Sequence, residues 1–174
     1  MIEAVRGRRL RGQLIYIVLM MIFLFWRLLP LSPGQIIWPG PDLALCLTFA
    51  WVLRRPDDVP VLIIAALFFI EDIVLLRPLG LFTALVVMAT EAARVREPRW
   101  RELSFVIEWL RVALLIAMLM LANRILLIVF VLPAPPLGQM ILQFLATAAA
   151  YPIVVALARW PLGVKRALPV DGDR

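Results

Sequence analysis

The sequence predicts an all-α integral membrane protein, a bundle of six transmembrane helices, on three observations. The chain of 174 residues is 64% hydrophobic and only 17% charged, with a mean hydropathy of +0.96, far too apolar for a soluble domain of its length. Its apolar residues fall into six runs, to be set against the about 20 residues per helix that a ~30 Å hydrocarbon core requires. Runs such as LLIAMLML (114–121) show no apolar–polar alternation, which excludes the strands of a membrane barrel.

The elements follow in order. A basic cytoplasmic arm, residues 1–12, leads into a first span from Gln13 to Leu31. Its apolar part is long and no A-x-A-like site follows, so it is read as a retained helix rather than a cleaved signal. A second span, Asp42 to Leu53, starts directly after WPGP (38–41). Pro41-Asp42 reads as a helix start, because a carboxylate there caps free N–H groups at the positive end of the dipole. This helix covers only ~18 Å, and a short, Pro/Gly-interrupted span is a pointer to a site in transporters. The third span, Val59 to Leu76, follows RRPDDVP (54–60), and a turn with Pro78 and Gly80 leads to the fourth, Leu79 to Ala93. REPRWRE (96–102) precedes the fifth, Phe105 to Leu132, and LPAPP (132–136) precedes the sixth, Leu137 to Ala158. Proline marks each connection because it ends helices and restricts the residue before it. Residues 13–158 thus form one transmembrane domain, and 159–174 a cytoplasmic tail.

The net charge of +6 is a matter of topology rather than of nucleic-acid binding. All of the 18 basic residues except Arg27, Arg77, Arg111 and Arg124 fall in the arm, between the second and third spans, between the fourth and fifth, or after the sixth. Short cytoplasmic segments carry the excess of Lys and Arg, so both termini are expected in the cytoplasm, with membrane lipids as a secondary contact. Tryptophan placement gives the same boundaries: Trp26 and Trp38 at the outer one, Trp51, Trp100, Trp109 and Trp160 at or near the inner one.

Reactive chemistry is scarce. The chain has no histidine, one cysteine (Cys46), one lysine and two serines, so nucleophile–base pairs and zinc or haem sites cannot be assembled. No glycine-rich nucleotide loop is present. No enzymatic activity and no cofactor are expected, and Cys46 reads as a small apolar residue.

Polar residues at membrane depth remain. Helical rise places Arg27, Glu71, Asp72, Asn123 and Arg124 at one level, about 18–22 Å from the cytoplasmic ends of their spans. Charges there face the bundle and find partners, or snorkel to the headgroups. Asp72 is expected to face the bundle and pair with Arg124 or Arg27 on the floor of an outward-facing pocket, with Glu71 pointing away toward the outer surface or a partner. A second group, Glu91, Arg94, Glu108 and Arg111, is expected to pair at the inner surface.

The run PDLALCLTFAWVLRRPDDVP (41–60), followed by an apolar helix ending in D-x-x-x-x-x-P-L-G (72–80) and a further apolar helix, resembles the rod shape-determining protein MreD family. Pro152 in the last helix fits the same pattern. The resemblance implies a non-enzymatic scaffold of the bacterial inner (cytoplasmic) membrane, needed for rod shape. In that role it would direct side-wall peptidoglycan synthesis with MreC, with RodA and its penicillin-binding transpeptidase, and indirectly with MreB. It also implies a fold similar to the S components of energy-coupling-factor vitamin transporters. The alternative is therefore a six-helix substrate-binding subunit of a vitamin-type transporter, although the first helix lacks the A-x-x-x-A spacing through which S components dock. A third class, an ion-coupled carrier using Glu71 and Asp72, lacks the inverted halves of such carriers. Partner-docking candidates are the cytoplasmic loop with Arg94, Arg96, Arg99, Arg101 and Glu102, and the small-residue face of the last helix at Ala146 and Ala150, where another helix can approach closely.

Overall fold

Proline punctuation divides the chain much as expected. The computed structural model describes residues 2–29, 40–100 and 104–159, which are helical with no strand. The helices are α1 (Ile2–Leu28), α2 (Leu43–Arg54), α3 (Val61–Val74), α4 (Leu81–Trp100), α5 (Phe105–Val129) and α6 (Leu137–Arg159), with a 3-10 turn at Pro56–Asp58 between α2 and α3. Among the described residues, three helical stretches are long and apolar enough to cross a membrane: Arg9–Leu28, Phe105–Val129 and Leu137–Ala158. Two boundaries differ from expectation by more than a helical turn. Helix α1 runs back through the basic arm, and α4 continues past Ala93 to Trp100, so Arg94, Arg96 and Arg99 lie on a helix and not in a loop. A proline in a last turn, here Pro98, removes one backbone bond without unwinding the turns before it.

Helix α2 is the centre. Every residue from Ala44 to Arg54 is buried, as a helix that is apolar all round requires. Helices α6 and α4 pack along it, and α1 crosses beside it. Enclosure accounts for its 12 residues: a helix with no lipid-facing side need not match the bilayer. Trp51, expected at the membrane boundary, is instead 1% exposed and lies 5.9 Å from Tyr16, ring centre to ring centre. The Trp51 indole N–H has no hydrogen-bond partner there, but other polar side chains of the core are paired locally. Thr48 donates back to the Ala44 carbonyl at 2.7 Å and meets the Tyr16 hydroxyl at 2.9 Å. The Cys46 thiol donates to the Thr147 carbonyl on α6. Gly12 lets α1 approach the 3-10 turn: a Cβ there would stand 2.5 Å from an Asp58 carboxylate oxygen.

Pro152 sits inside α6. Having no N–H, it leaves the carbonyl four residues earlier, that of Ala148, without its helical donor. The indole N–H of Trp109 on α5 donates to that carbonyl at 2.8 Å. The interruption in α6 thereby becomes a tie between α5 and α6. Trp109→Phe is expected to destabilise the protein by about 1–3 kcal/mol, the usual penalty for an unsatisfied buried acceptor. In a Pro152→Ala background most of that loss should vanish, because the helical donor returns; an unfolding titration in mixed micelles checks the coupling.

Helices α3 and α5 end alike. The Arg77 N–H bonds the Asp72 carbonyl at 2.9 Å and the Leu132 N–H bonds that of Leu127 at 2.8 Å, the six-to-one closure that normally places glycine at the turn. Here the turn residues are Leu76 (φ 52°) and Val131 (φ 57°), an uncommon conformation for bulky side chains and a true outlier for β-branched valine. Both side chains are nearly wholly exposed, 93% and 91%, so truncation sacrifices little packing. Val131→Gly should stabilise the fold by about 1 kcal/mol, and Leu76→Gly by somewhat less, once glycine's unfolded-state entropy is subtracted; melting midpoints in detergent check both.

Candidate functional site

Charged residues gather at the two ends of α2. At its N-terminal end, Asp42 caps the helix by accepting from the Leu45 N–H at 3.1 Å, while its own N–H donates to Thr147 Oγ1 on α6 at 3.0 Å. Arg27, on the last turn of α1, reaches across to Asp42 at 3.3 Å and to Glu71 on α3 at 2.8 Å. Arg77, in the turn after α3, lies 3.6 Å from the same Glu71 oxygen and over the Phe82 ring, 4.6 Å from its centre, in cation–π range. Burial first, and then the nearby Arg27 guanidinium, lowers the Arg77 pKa below its ordinary value.

Asp72 does something else. Its Oδ2 accepts from both the backbone N–H (3.2 Å) and the hydroxyl (2.8 Å) of Thr83 in the first turn of α4. A carboxylate in that place satisfies orphan donors and faces the positive end of the helix dipole. Gly80 has φ 78°, a conformation glycine adopts freely, and its carbonyl accepts the Ala84 N–H. The D-x-x-x-x-x-P-L-G motif is therefore a clamp joining the end of α3 to the start of α4. Thr83→Val, which keeps the shape and the backbone bond but loses the hydroxyl, should cost about 1–3 kcal/mol; Thr83→Ser should restore most of it in the same unfolding assay.

Asp72 faces the bundle as expected, but the ion pairing expected of it belongs to Glu71, which does not point away. Glu71 is buried and holds the arginine, while Asp72, also buried, binds Thr83 rather than Arg27 or Arg124. Asn123 and Arg124 do join the group, one layer further out. Arg124 Nη1 donates to the Pro135 carbonyl. Together with Asp42, Arg77 and Gln143, these two residues are the polar lining of a cavity of about 510 Å³. Its walls are the α3–α4 turn, α5, residues 132–135 and the start of α6.

At the other end of α2 lies a pair that sequence reasoning missed. Arg54 Nη2 and Glu108 Oε1 are 2.8 Å apart, with side chains 1% and 2% exposed, and the Tyr151 hydroxyl donates to the same oxygen at 3.1 Å. Arg54 also donates to the Ala50 carbonyl at 3.2 Å. The sequence places Arg54 in a proline-marked turn, and the available signal was that it directly continues the all-apolar α2. Arg94, offered as a docking residue, is committed inside: it pairs with Glu91 at 2.9 Å and donates to the Pro56 and Val59 carbonyls at 3.0 and 2.7 Å. Ala146 and Ala150 are partly buried on α6, and Ala150 packs against the core. Arg101, Glu102, Trp38 and Trp160 lie outside the described residues. Among the described residues no group of three or more His, Cys, Asp or Glu is placed to hold a metal ion.

Comparisons with protein-family models, with curated proteins and with solved structures find no match to this chain.

Proposed function

We propose that the chain is a non-enzymatic six-span scaffold of the bacterial inner membrane, with both termini cytoplasmic, acting like MreD in cell elongation alongside MreC and a RodA-type synthase with its transpeptidase. One observation supports this reading above the others: the buried charged groups are committed to joining helices. Arg27 ties α1 to α2 and α3, Asp72 ties α3 to α4, and Arg54, Glu108 and Tyr151 tie α2, α5 and α6. A bundle braced at both ends presents fixed outer faces, which is what a scaffold needs. The outward faces of α1 (Leu14, Val18, Ile22, Phe25) and α6 (Leu145, Ile153, Leu157) are apolar and exposed, suited to lipid or to a partner's helices.

Affinity purification of the tagged chain in mild detergent tests the reading. Recovery of MreC with a RodA-type synthase is the expected result, and recovery of an ATPase-coupled permease subunit overturns it. The 510 Å³ cavity favours a second reading, a substrate-binding transporter subunit, in which a vitamin-type ligand would raise the melting midpoint.

A further inference from the structure

We propose that the cavity between the α3–α4 turn, α5 and the start of α6 binds the phosphate group of a membrane amphiphile, with Arg77 and Arg124 as the anion-holding residues. The inference does not rest on the scaffold reading. At about 510 Å³ the space lies within the about 300–1,000 Å³ common to small-ligand sites.

Its polar lining is short of negative charge. Asp42 is the one carboxylate on the wall, and it is already engaged by Arg27 and by the Leu45 N–H. Arg77 Nη1 is buried and makes no hydrogen bond, its one ion-pair contact being the long 3.6 Å approach to Glu71. Arg124 uses Nη1 on the Pro135 carbonyl, and both residues line the same cavity. Asn123 and Gln143 also line this space. Two guanidinium groups and two amides supply the planar donor forks that match phosphate oxygens.

The rest of the wall is apolar, including Leu81, Phe82, Met120, Leu127 and Met140. A free inorganic anion would leave these side chains against empty space, whereas an attached hydrocarbon chain would cover them. The rim carries the same message. Leu76 on the wall and Val131 next to Leu132 are held outward by left-handed backbone turns, a strain that glycine would relieve and that clusters at functional sites. An apolar rim around a cationic interior is the shape of a lipid-headgroup site.

The test uses the full chain, delipidated in a nonionic maltoside, with thermal melting as the readout. Phosphatidic acid should raise the midpoint saturably, while diacylglycerol with the same chains, or inorganic phosphate alone, should not. The Arg77→Gln/Arg124→Gln double variant should bind phosphatidic acid about 10- to 100-fold more weakly, as expected for losing charge-assisted hydrogen bonds. Should that variant not fold, Met140→Trp provides the second reading: it fills the cavity without removing either guanidinium and should abolish the lipid-dependent shift, read against its own lipid-free midpoint. Equal stabilisation by diacylglycerol or by inorganic phosphate, or an undiminished shift in either variant, overturns the proposal.

Discussion

Glu108→Ala is expected to destabilise the protein by about 3–5 kcal/mol, the loss typical of breaking a buried ion pair by removing one partner. Arg54 is 1% exposed and its Nη2 lies 2.8 Å from Glu108, so without the carboxylate its charge stays buried among Leu53, Tyr151 and their neighbours in the core. The Tyr151 hydroxyl loses its acceptor at the same time. Arg54→Leu should be equally damaging, for the converse reason that Glu108 is left charged. The combined Arg54→Leu/Glu108→Leu/Tyr151→Phe variant should recover most of the stability, since well-packed apolar replacements of a buried pair are often neutral or better. Unfolding titrations from maltoside into dodecyl sulfate, followed by tryptophan fluorescence, measure all three. If the single losses simply add, the triad is not a coupled unit and the bracing of this end of the bundle lies elsewhere.

The helices were legible because proline and apolar run length mark them, and both act locally. Their partners were not. Depth counting placed Arg27, Glu71, Asp72, Asn123 and Arg124 at one level, and they do gather at one end of α2; but depth fixes only position along a helix axis. Glu71 and Asp72 differ by ~100° in azimuth, and which of them meets an arginine depends on where α1 and α4 stand around α3. Thr83, which engages Asp72, carries no charge and gave no signal in a search for ion pairs. Arg54 was misread for a related reason: an arginine two residues before a proline reads as a loop residue, yet α2 is so enclosed that its last turn is still interior. Arg94 looked like part of a basic loop until α4 continued through it. The cap at Asp42 was legible because capping needs only the chain's own next three residues.

The same geometry ranks the two acids of FFIEDIVLL. Glu71→Ala should cost about 2–4 kcal/mol, somewhat under a fully buried pair because the Arg27 side chain is 32% exposed and keeps Asp42 as a partner. Arg77 fares worse: Glu71 is its ion-pair partner at 3.6 Å, and without it the guanidinium keeps the Phe82 ring and the weaker attraction of Asp42 and Asp72 against the repulsion of Arg27. Asp72→Asn keeps an acceptor oxygen for Thr83 and gives up the charge that faces the start of α4 and weakly attracts Arg77, a loss of about 1 kcal/mol. Glu71→Gln should fall between them, since its amide oxygen still accepts from Arg27 but neutralises neither arginine. A second substitution separates the causes: Arg77→Met in the Glu71→Ala background should return part of the lost stability by removing the stranded charge, whereas Arg77→Met alone should not stabilise. The order Glu71→Ala, Glu71→Gln, Asp72→Asn is read from the same dodecyl sulfate titration. An inverted order would mean that Asp72 carries the ion pairing and that Glu71 is free to meet a partner outside the bundle.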